Sequence, residues 1–260
     1  MRLEMNRQVD AKDTPAVRFV ILNAPRTGSN YLCTVLDGHP DILCHHEIFN
    51  PHVVGLARHL AKQGFALGTV AERNPDPLAF LDRVWQTSLG RKRVGFKLCW
   101  RQDETALDAV LSDSGVRKIV LKRRNRVKSF VSLLLARQTA EWVLYHDDPP
   151  PAARPRIRLE AGELFEHIHY NRQYYEQIES RLQTSGQRSL ELFYEDLLAG
   201  TGLRAALSFL DLPPEDALTL RGQCWKLTPQ KLADVISNFD DVAGALRGTE
   251  LEPELLSHDF

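Results

Sequence analysis

Phe19-Val20-Ile21-Leu22-Asn23-Ala24-Pro25-Arg26-Thr27-Gly28-Ser29-Asn30-Tyr31-Leu32 runs from an apolar segment through a polar turn into a second apolar segment. The first segment reads as a buried strand and the second as the start of a helix. Such a junction builds an anion pocket from backbone. Gly28 permits a close approach, the first-turn N–H groups of the helix are unpaired, and its macrodipole favours negative charge there. Arg26 adds a permanent, forked donor. The turn lacks both the Lys-Ser/Thr ending of a Walker A loop and the three glycines of a dinucleotide fingerprint. Its alternative meaning is a plain strand-to-helix turn in which Ser29 or Thr27 caps the helix.

A second junction of this kind follows downstream. Ile119-Val120-Leu121 leads through Lys122-Arg123-Arg124-Asn125-Arg126-Val127-Lys128 into the apolar helix that carries Ser132, eight residues after Arg124. Cations at a helix N-terminus oppose the macrodipole, so this crowd of Lys and Arg predicts an anionic partner.

Together the two junctions resemble the sulfotransferases that use 3′-phosphoadenosine-5′-phosphosulfate (PAPS). That family carries a loop of the type Pro-Lys/Arg-Ser/Thr-Gly-Ser/Thr-Thr/Asn-aromatic, which residues 25–31 match. Its other signature is an Arg followed eight residues later by a Ser, the spacing of Arg124 and Ser132, here with Asn125 after the Arg. Tyr194-Glu195-Asp196-Leu197 is also frequent in the family. The resemblance covers roughly residues 17–247. It implies that Arg26, Thr27, Gly28, Ser29, Asn30 and Tyr31 cradle the 5′-phosphosulfate, and that Arg124 and Ser132 grip the 3′-phosphate.

Sulfuryl transfer requires alignment of acceptor oxygen, sulfur and leaving oxygen, neutralisation of charge on the leaving phosphate, and removal of the acceptor proton. Arg26, where many relatives have Lys, is the candidate for the leaving oxygen. Glu47, a carboxylate shortly after the first helix and close to the aromatic Phe49, resembles the glutamate base of carbohydrate-type and bacterial glycolipid sulfotransferases. It suits that task if burial raises its pKa toward neutrality. His45 and His46 are its rivals, one expected inward and the other outward in extended chain. Phenol-type relatives place a His two residues after a strand-end Lys; here Lys97 survives but Cys99 holds the His position. Lys97 is therefore a candidate for the sulfuryl group or leaving phosphate, or a solvated strand-end charge. Lys226 and Lys231 are candidates for the 3′-phosphate, or simply solvated charges.

The rest of the chain bounds these assignments. Its 260 residues, 43% hydrophobic and 26% charged, fit a globular α/β chain with a substantial core. A net charge of −1 argues against nucleic acid, because positive charge is local to 117–128. No apolar run approaches the ~20 residues of a membrane span, and the mixed-charge stretch Met1 to Pro15 lacks the apolar core expected of a signal peptide. Four scattered cysteines lack metal-like spacing, so reduced thiols, a cytoplasmic setting and no metal are expected.

Parallel strands are predicted at 17–23, 93–99, 117–122 and 188–193, within a three-layer, doubly wound, P-loop-like α/β sheet. Helices are predicted near 29–37, 52–63, 77–89, 104–112, 126–143, 162–184, 201–210 and 238–247. Residues 1–16 read as a loose tail before a single domain over 17–260. The Pro-rich segment 145–155 reads as a surface loop suited to the acceptor, and the aromatic stripe of 162–184 as core. The expected acceptor is a hydroxyl of a carbohydrate, glycolipid or small metabolite. The alternatives are a P-loop-type kinase or NTPase, which would want a Walker Lys-Ser/Thr, and a non-catalytic nucleotide-binding protein.

Overall fold

β1 (Val17–Asn23) is the middle strand of a five-stranded sheet ordered β2-β3-β1-β4-β5, completed by β2 (Ile42–His45), β3 (Arg93–Cys99), β4 (Val116–Lys122) and β5 (Ser189–Phe193). Every pairing is parallel. The computed structural model describes residues 15–229 and 231–257. Most of the expected tail, residues 1–14, lies outside the described residues.

Helices cover both faces of the sheet, so β1 is apolar on both sides and Phe19 through Leu22 are fully buried. The two-residue strand period divides it between two cores. Val20 and Leu22 pack with Phe80, Phe96, Val110, Tyr174 and Ile178. Phe19 and Ile21 pack with Leu32, Leu36, Ile119, Leu203 and Leu207. A third cluster joins Phe130, Leu164 and Ile168 to Ile236, Val242, Leu246 and Leu255.

The helices in chain order are α1 (Ser29–Asp37), α2 (Arg58–Lys62), α3 (Val70–Arg73), α4 (Pro77–Gln86), α5 (Glu104–Ser112), α6 (Arg126–Thr139), α7 (Ala161–Ser185), α8 (Tyr194–Leu198), α9 (Thr201–Phe209), α10 (Phe239–Leu246) and α11 (Glu252–Leu256). No helix among the described residues is long and apolar enough to cross a membrane.

The three-layer parallel architecture and four strands agree with the sequence. The differences have local causes. β2 is a four-residue edge strand, too short for a periodic signal, and it delivers His46 and Glu47 to the carboxyl edge of the sheet. Residues 52–57, expected to be helical, instead wrap Glu47: Gly55 and Asn50 both donate their N–H to its carbonyl, at 3.0 and 3.1 Å. α6 stops at Thr139 because Ala140 adopts a left-handed conformation, φ 58°. On α7, Ile168, Tyr174, Ile178 and Leu182 are core as expected, whereas Phe165 is exposed.

Candidate active site

Registers between Asn23, Cys99 and Leu121 bring the carboxyl ends of β1, β3 and β4 level. The turns after them therefore meet at one edge, as open parallel sheets require of a ligand site. In the first turn, Arg26 and Gly28 both take left-handed backbone conformations, φ 64° and 84°. Successive turns of this kind curl the chain into a concavity that suits an anion. Gly28 is obligatory: a Cβ there would lie 2.1 Å from the Tyr194 ring. No side chain caps α1. Thr27 donates its hydroxyl to the Ala24 carbonyl at 3.0 Å, which disposes of the plain capping alternative. Tyr175 clamps the loop, accepting from the Ala24 N–H at 2.9 Å and donating to the Leu121 carbonyl at 2.7 Å. Tyr31 is turned away from the loop, its ring against Gly222.

Arg26 donates Nε to the Ser132 hydroxyl at 2.8 Å and Nη1 to the Trp142 carbonyl at 2.5 Å. Burial, then repulsion from Arg123, lowers its pKa to about 10, so it stays charged at neutral pH. Ser132 thus stands beside Arg26, eight residues after Arg124 in the sequence. Arg124 itself does not. Its guanidinium is half exposed and forms a bidentate pair with Asp196 at 2.8 and 2.7 Å.

The basic turn does not wait for an external anion, and in that respect the expectation from charge crowding fails. Lys122 pairs with Glu179 and Glu191, Arg124 with Asp196, and Arg126 with Glu250 and Glu254. Glu195 accepts the backbone N–H of Arg124 and Asn125 at 3.0 and 3.2 Å, and Glu254 that of Arg126 at 2.5 Å. These carboxylates lie far along the chain, where local charge counting does not reach.

Arg123 is different. It donates to the Arg26 carbonyl at 3.2 Å, lies over the Tyr194 ring at 4.9 Å, and leaves its Nε buried without a partner. Arg154 pairs with Glu141 and also keeps a buried nitrogen, Nη2, unpartnered. Arg154 and Arg123 both depress Arg26, and burial followed by Arg123 depresses Lys226. Arg26, Arg123, Arg154 and Lys226 therefore form one positive cluster drawn from four separate segments. Among the described residues, Arg26, Arg123 and Lys226 have no carboxylate within ion-pair distance. Lys231 is exposed.

A second cluster lies beside the loop. Lys97 is buried and gives its ammonium to Glu47 Oε1 at 2.8 Å, Asn30 Oδ1 at 2.6 Å and Ser29 Oγ at 3.4 Å. It is not a solvated strand-end lysine. Glu47 Oε2 accepts from Gln102 at 2.7 Å and Asn50 at 2.8 Å. Burial pushes the Glu47 pKa up, but the Lys97 charge and the three donors outweigh it and bring it to about 2. The expected shift toward neutrality is reversed, because the partner is a buried ammonium.

His45 and His46 are both buried, not split between inside and outside. His45 accepts the Ala57 N–H at 3.1 Å within the core. His46 meets Asn30 Oδ1 at 3.1 Å and the edge of Tyr145. Burial lowers them to about 4 and 3, so both rings are neutral. Tyr145 belongs to the 145–155 segment, which is nonhelical as expected but tied down: Tyr145 bridges to Cys224, Arg58 lies 3.9 Å from its ring centroid, and Asp147 pairs with Arg58 and Lys62.

Sequence patterns missed Arg123, Arg154, Gln102 and Asn50. Arg123 had a signal, as the neighbour of the motif arginine on a twisted strand end; the others have none before the chain folds.

No family model matches the chain. It is 28% identical over 154 residues to Nodulation protein H of Rhizobium meliloti strain 1021, covering 56% of this chain and 60% of that protein. With Nodulation protein H of Rhizobium tropici it shares 26% identity over 231 residues, 85% of this chain and 86% of that protein. The chain thus spans less than two thirds of the first relative and most of the second. Among solved structures it is similar to a sulfotransferase from Alicyclobacillus acidocaldarius, with a TM-score of 0.48 and 14% identity over 92% of this chain and 95% of that one. The chain thus carries two phosphate-type motifs at neighbouring strand ends and is similar in sequence, across most of its length, to Nodulation protein H of Rhizobium tropici.

Proposed function

We propose that the chain transfers a sulfuryl group from PAPS to a hydroxyl of a carbohydrate, glycolipid or small metabolite by in-line displacement. One domain over residues 17–260 carries the activity, and its four free thiols fit the reducing cytoplasm. The observation that carries this proposal is the cluster of Arg26, Arg123, Arg154 and Lys226 around a glycine turn, with two buried guanidinium nitrogens unpartnered. Unsatisfied buried donors are costly, and a ligand with two separated phosphate-type anions satisfies them.

In this assignment residues 25–30 and Arg26 hold the 5′-phosphosulfate, and Arg123, Ser132 and Lys226 face the 3′-phosphate. Arg124 stands on the rim, held by Asp196. The acceptor oxygen bonds to sulfur as the bond from sulfur to the 5′-phosphate oxygen breaks, and the acceptor proton passes to Glu47. Arg26 neutralises the charge left on the phosphate. Lys97 touches both the loop and the base. As the sulfuryl oxygens draw on its ammonium, Glu47 loses its strongest acidifying partner and becomes more basic.

Calorimetric titration with adenosine 3′,5′-bisphosphate, AMP and ATP, with and without magnesium, tests the donor assignment. Binding of the bisphosphate in preference to the others, without metal, is the expected result; preference for magnesium-ATP moves the chain to the kinases. Arg123→Met should weaken bisphosphate binding about 10- to 100-fold, as loss of a charge-assisted contact does, and Arg124→Met much less. The reverse order would put the 3′-phosphate on Arg124.

A further inference from the structure

The Glu47 carboxylate is held from three directions. Gln102 Nε2 and Asn50 Nδ2 both donate to Oε2, at 2.7 and 2.8 Å, while Lys97 alone donates to Oε1. A carboxylate oxygen has two in-plane acceptor positions. Oε2 therefore has none left, and Oε1 has one.

Neither amide can be turned around. Gln102 Oε1 accepts the Cys99 N–H at 3.0 Å, and Asn50 Oδ1 accepts the His52 N–H at 3.0 Å. Each amide NH2 is thereby aimed at Glu47. The turn carrying Gln102 is fixed too. Its backbone N–H returns to the Cys99 carbonyl at 3.2 Å, and Trp100 donates to the Asn23 carbonyl at 3.0 Å, tying the turn to the end of β1. Arg101 within it has φ 62°, a left-handed conformation that costs a side-chain-bearing residue. That strain is retained in the one turn that aims Gln102 at the candidate base.

We infer that Gln102 is a positioning residue for proton transfer, holding Glu47 so that Oε1, beside Lys97, receives the acceptor proton while Oε2 is blocked. The inference rests on Glu47 being the base. It assigns the reacting atom: the proton leaves the acceptor hydroxyl for Oε1, beside Lys97, as the acceptor oxygen bonds to sulfur and the bond from sulfur to the 5′-phosphate oxygen breaks. Asn50 supports the same geometry from the opposite segment.

The test is PAPS cleavage with glycerol, whose hydroxyls stand in for the acceptor, followed as release of adenosine 3′,5′-bisphosphate across pH. Gln102→Leu keeps the side-chain bulk and removes the amide. The expected result is a kcat about 10- to 100-fold lower, from loss of a hydrogen bond to a charged group, with bisphosphate affinity unchanged. The acid limb of the kcat profile moves to higher pH, because removing a donor makes the carboxylate easier to protonate. A double variant with Glu47→Gln should be no slower than Glu47→Gln alone, since Gln102 acts through Glu47. Wild-type kcat and acid limb in Gln102→Leu, with Glu47→Gln inactive, would overturn the inference while leaving the base in place. Full activity in Glu47→Gln would remove the base assignment and the inference with it. A slower double variant would show that Gln102 acts through some other group.

Discussion

Among single residues, the exchange between Glu47 and Lys97 has the widest consequences. Both come from strand ends, Glu47 from the turn after β2 and Lys97 from β3, and Lys97 alone of the two is almost wholly buried. Removing one partner of such a pair leaves the other uncompensated, which typically costs about 3–5 kcal/mol when both are buried. Glu47 is 27% exposed and keeps two amide donors, so Lys97→Met should cost less, roughly 2 kcal/mol. The pH dependence has a definite sign. Glu47 is depressed from 4.5 to about 2 in the fold, so its pairing stabilises fully above pH 4.5 and is lost as pH falls toward 2. The stability gap between wild type and Lys97→Met, from urea unfolding at several pH values, should be largest near neutrality and close below pH 4.5. A constant gap would show that Lys97 acts by packing instead.

At the scale of elements, α6 shows how a helix that looks built for a ligand can be completed by its own chain. Its Asn125 cap accepts the Lys128 N–H at 2.7 Å, and the side chain of Glu254, from α11, accepts those of Arg126 and Val127 at 2.5 and 3.3 Å. A carboxylate so placed satisfies orphan donors and opposes the macrodipole. Glu254→Ala should therefore cost about 1–2 kcal/mol and lower the unfolding temperature by a few degrees, with bisphosphate affinity preserved. A loss of affinity as large as that of Arg123→Met would place the ligand at the α6 N-terminus after all. The same element marks the limit of the sequence. Strand-to-helix junctions at Asn23 and Lys122 are local patterns, and both were legible with the glycine turn, Ser132 and the parallel sheet. The partners of Arg124 and Arg126 are 70 or more residues away by sequence, and only the folded chain brings them near. β2 was hidden for a different reason: its four residues are fixed by register with β3, not by a period of their own.

Across the whole molecule, a net charge of −1 conceals a division of labour. Most cations at the sheet edge are neutralised by carboxylates, whereas Arg123 repels both Arg26 and Lys226 in a partly buried site. Such an arrangement lowers the stability of the free protein and is relieved by an anionic ligand, the usual trade between stability and function. Arg123 is the sharpest case, with its Nε buried and unpartnered. Arg123→Met keeps much of the packing on Tyr194 and removes both the repulsion and the unsatisfied donor. Thermal unfolding should therefore cross over. Without ligand, Arg123→Met should unfold at the same temperature as wild type or higher. With adenosine 3′,5′-bisphosphate at about 100 times the wild-type Kd, binding adds about 2.7 kcal/mol to wild type, a rise on the order of 5–10 °C, and much less to the variant. Raising the salt concentration should shrink the wild-type gain, because part of the attraction is screened. If the unliganded variant unfolds well below wild type, Arg123 is held for packing and the cluster is not a strained anion site. If both proteins gain equally from the bisphosphate, the ligand does not meet Arg123, and the donor's second phosphate must lie elsewhere on the sheet edge.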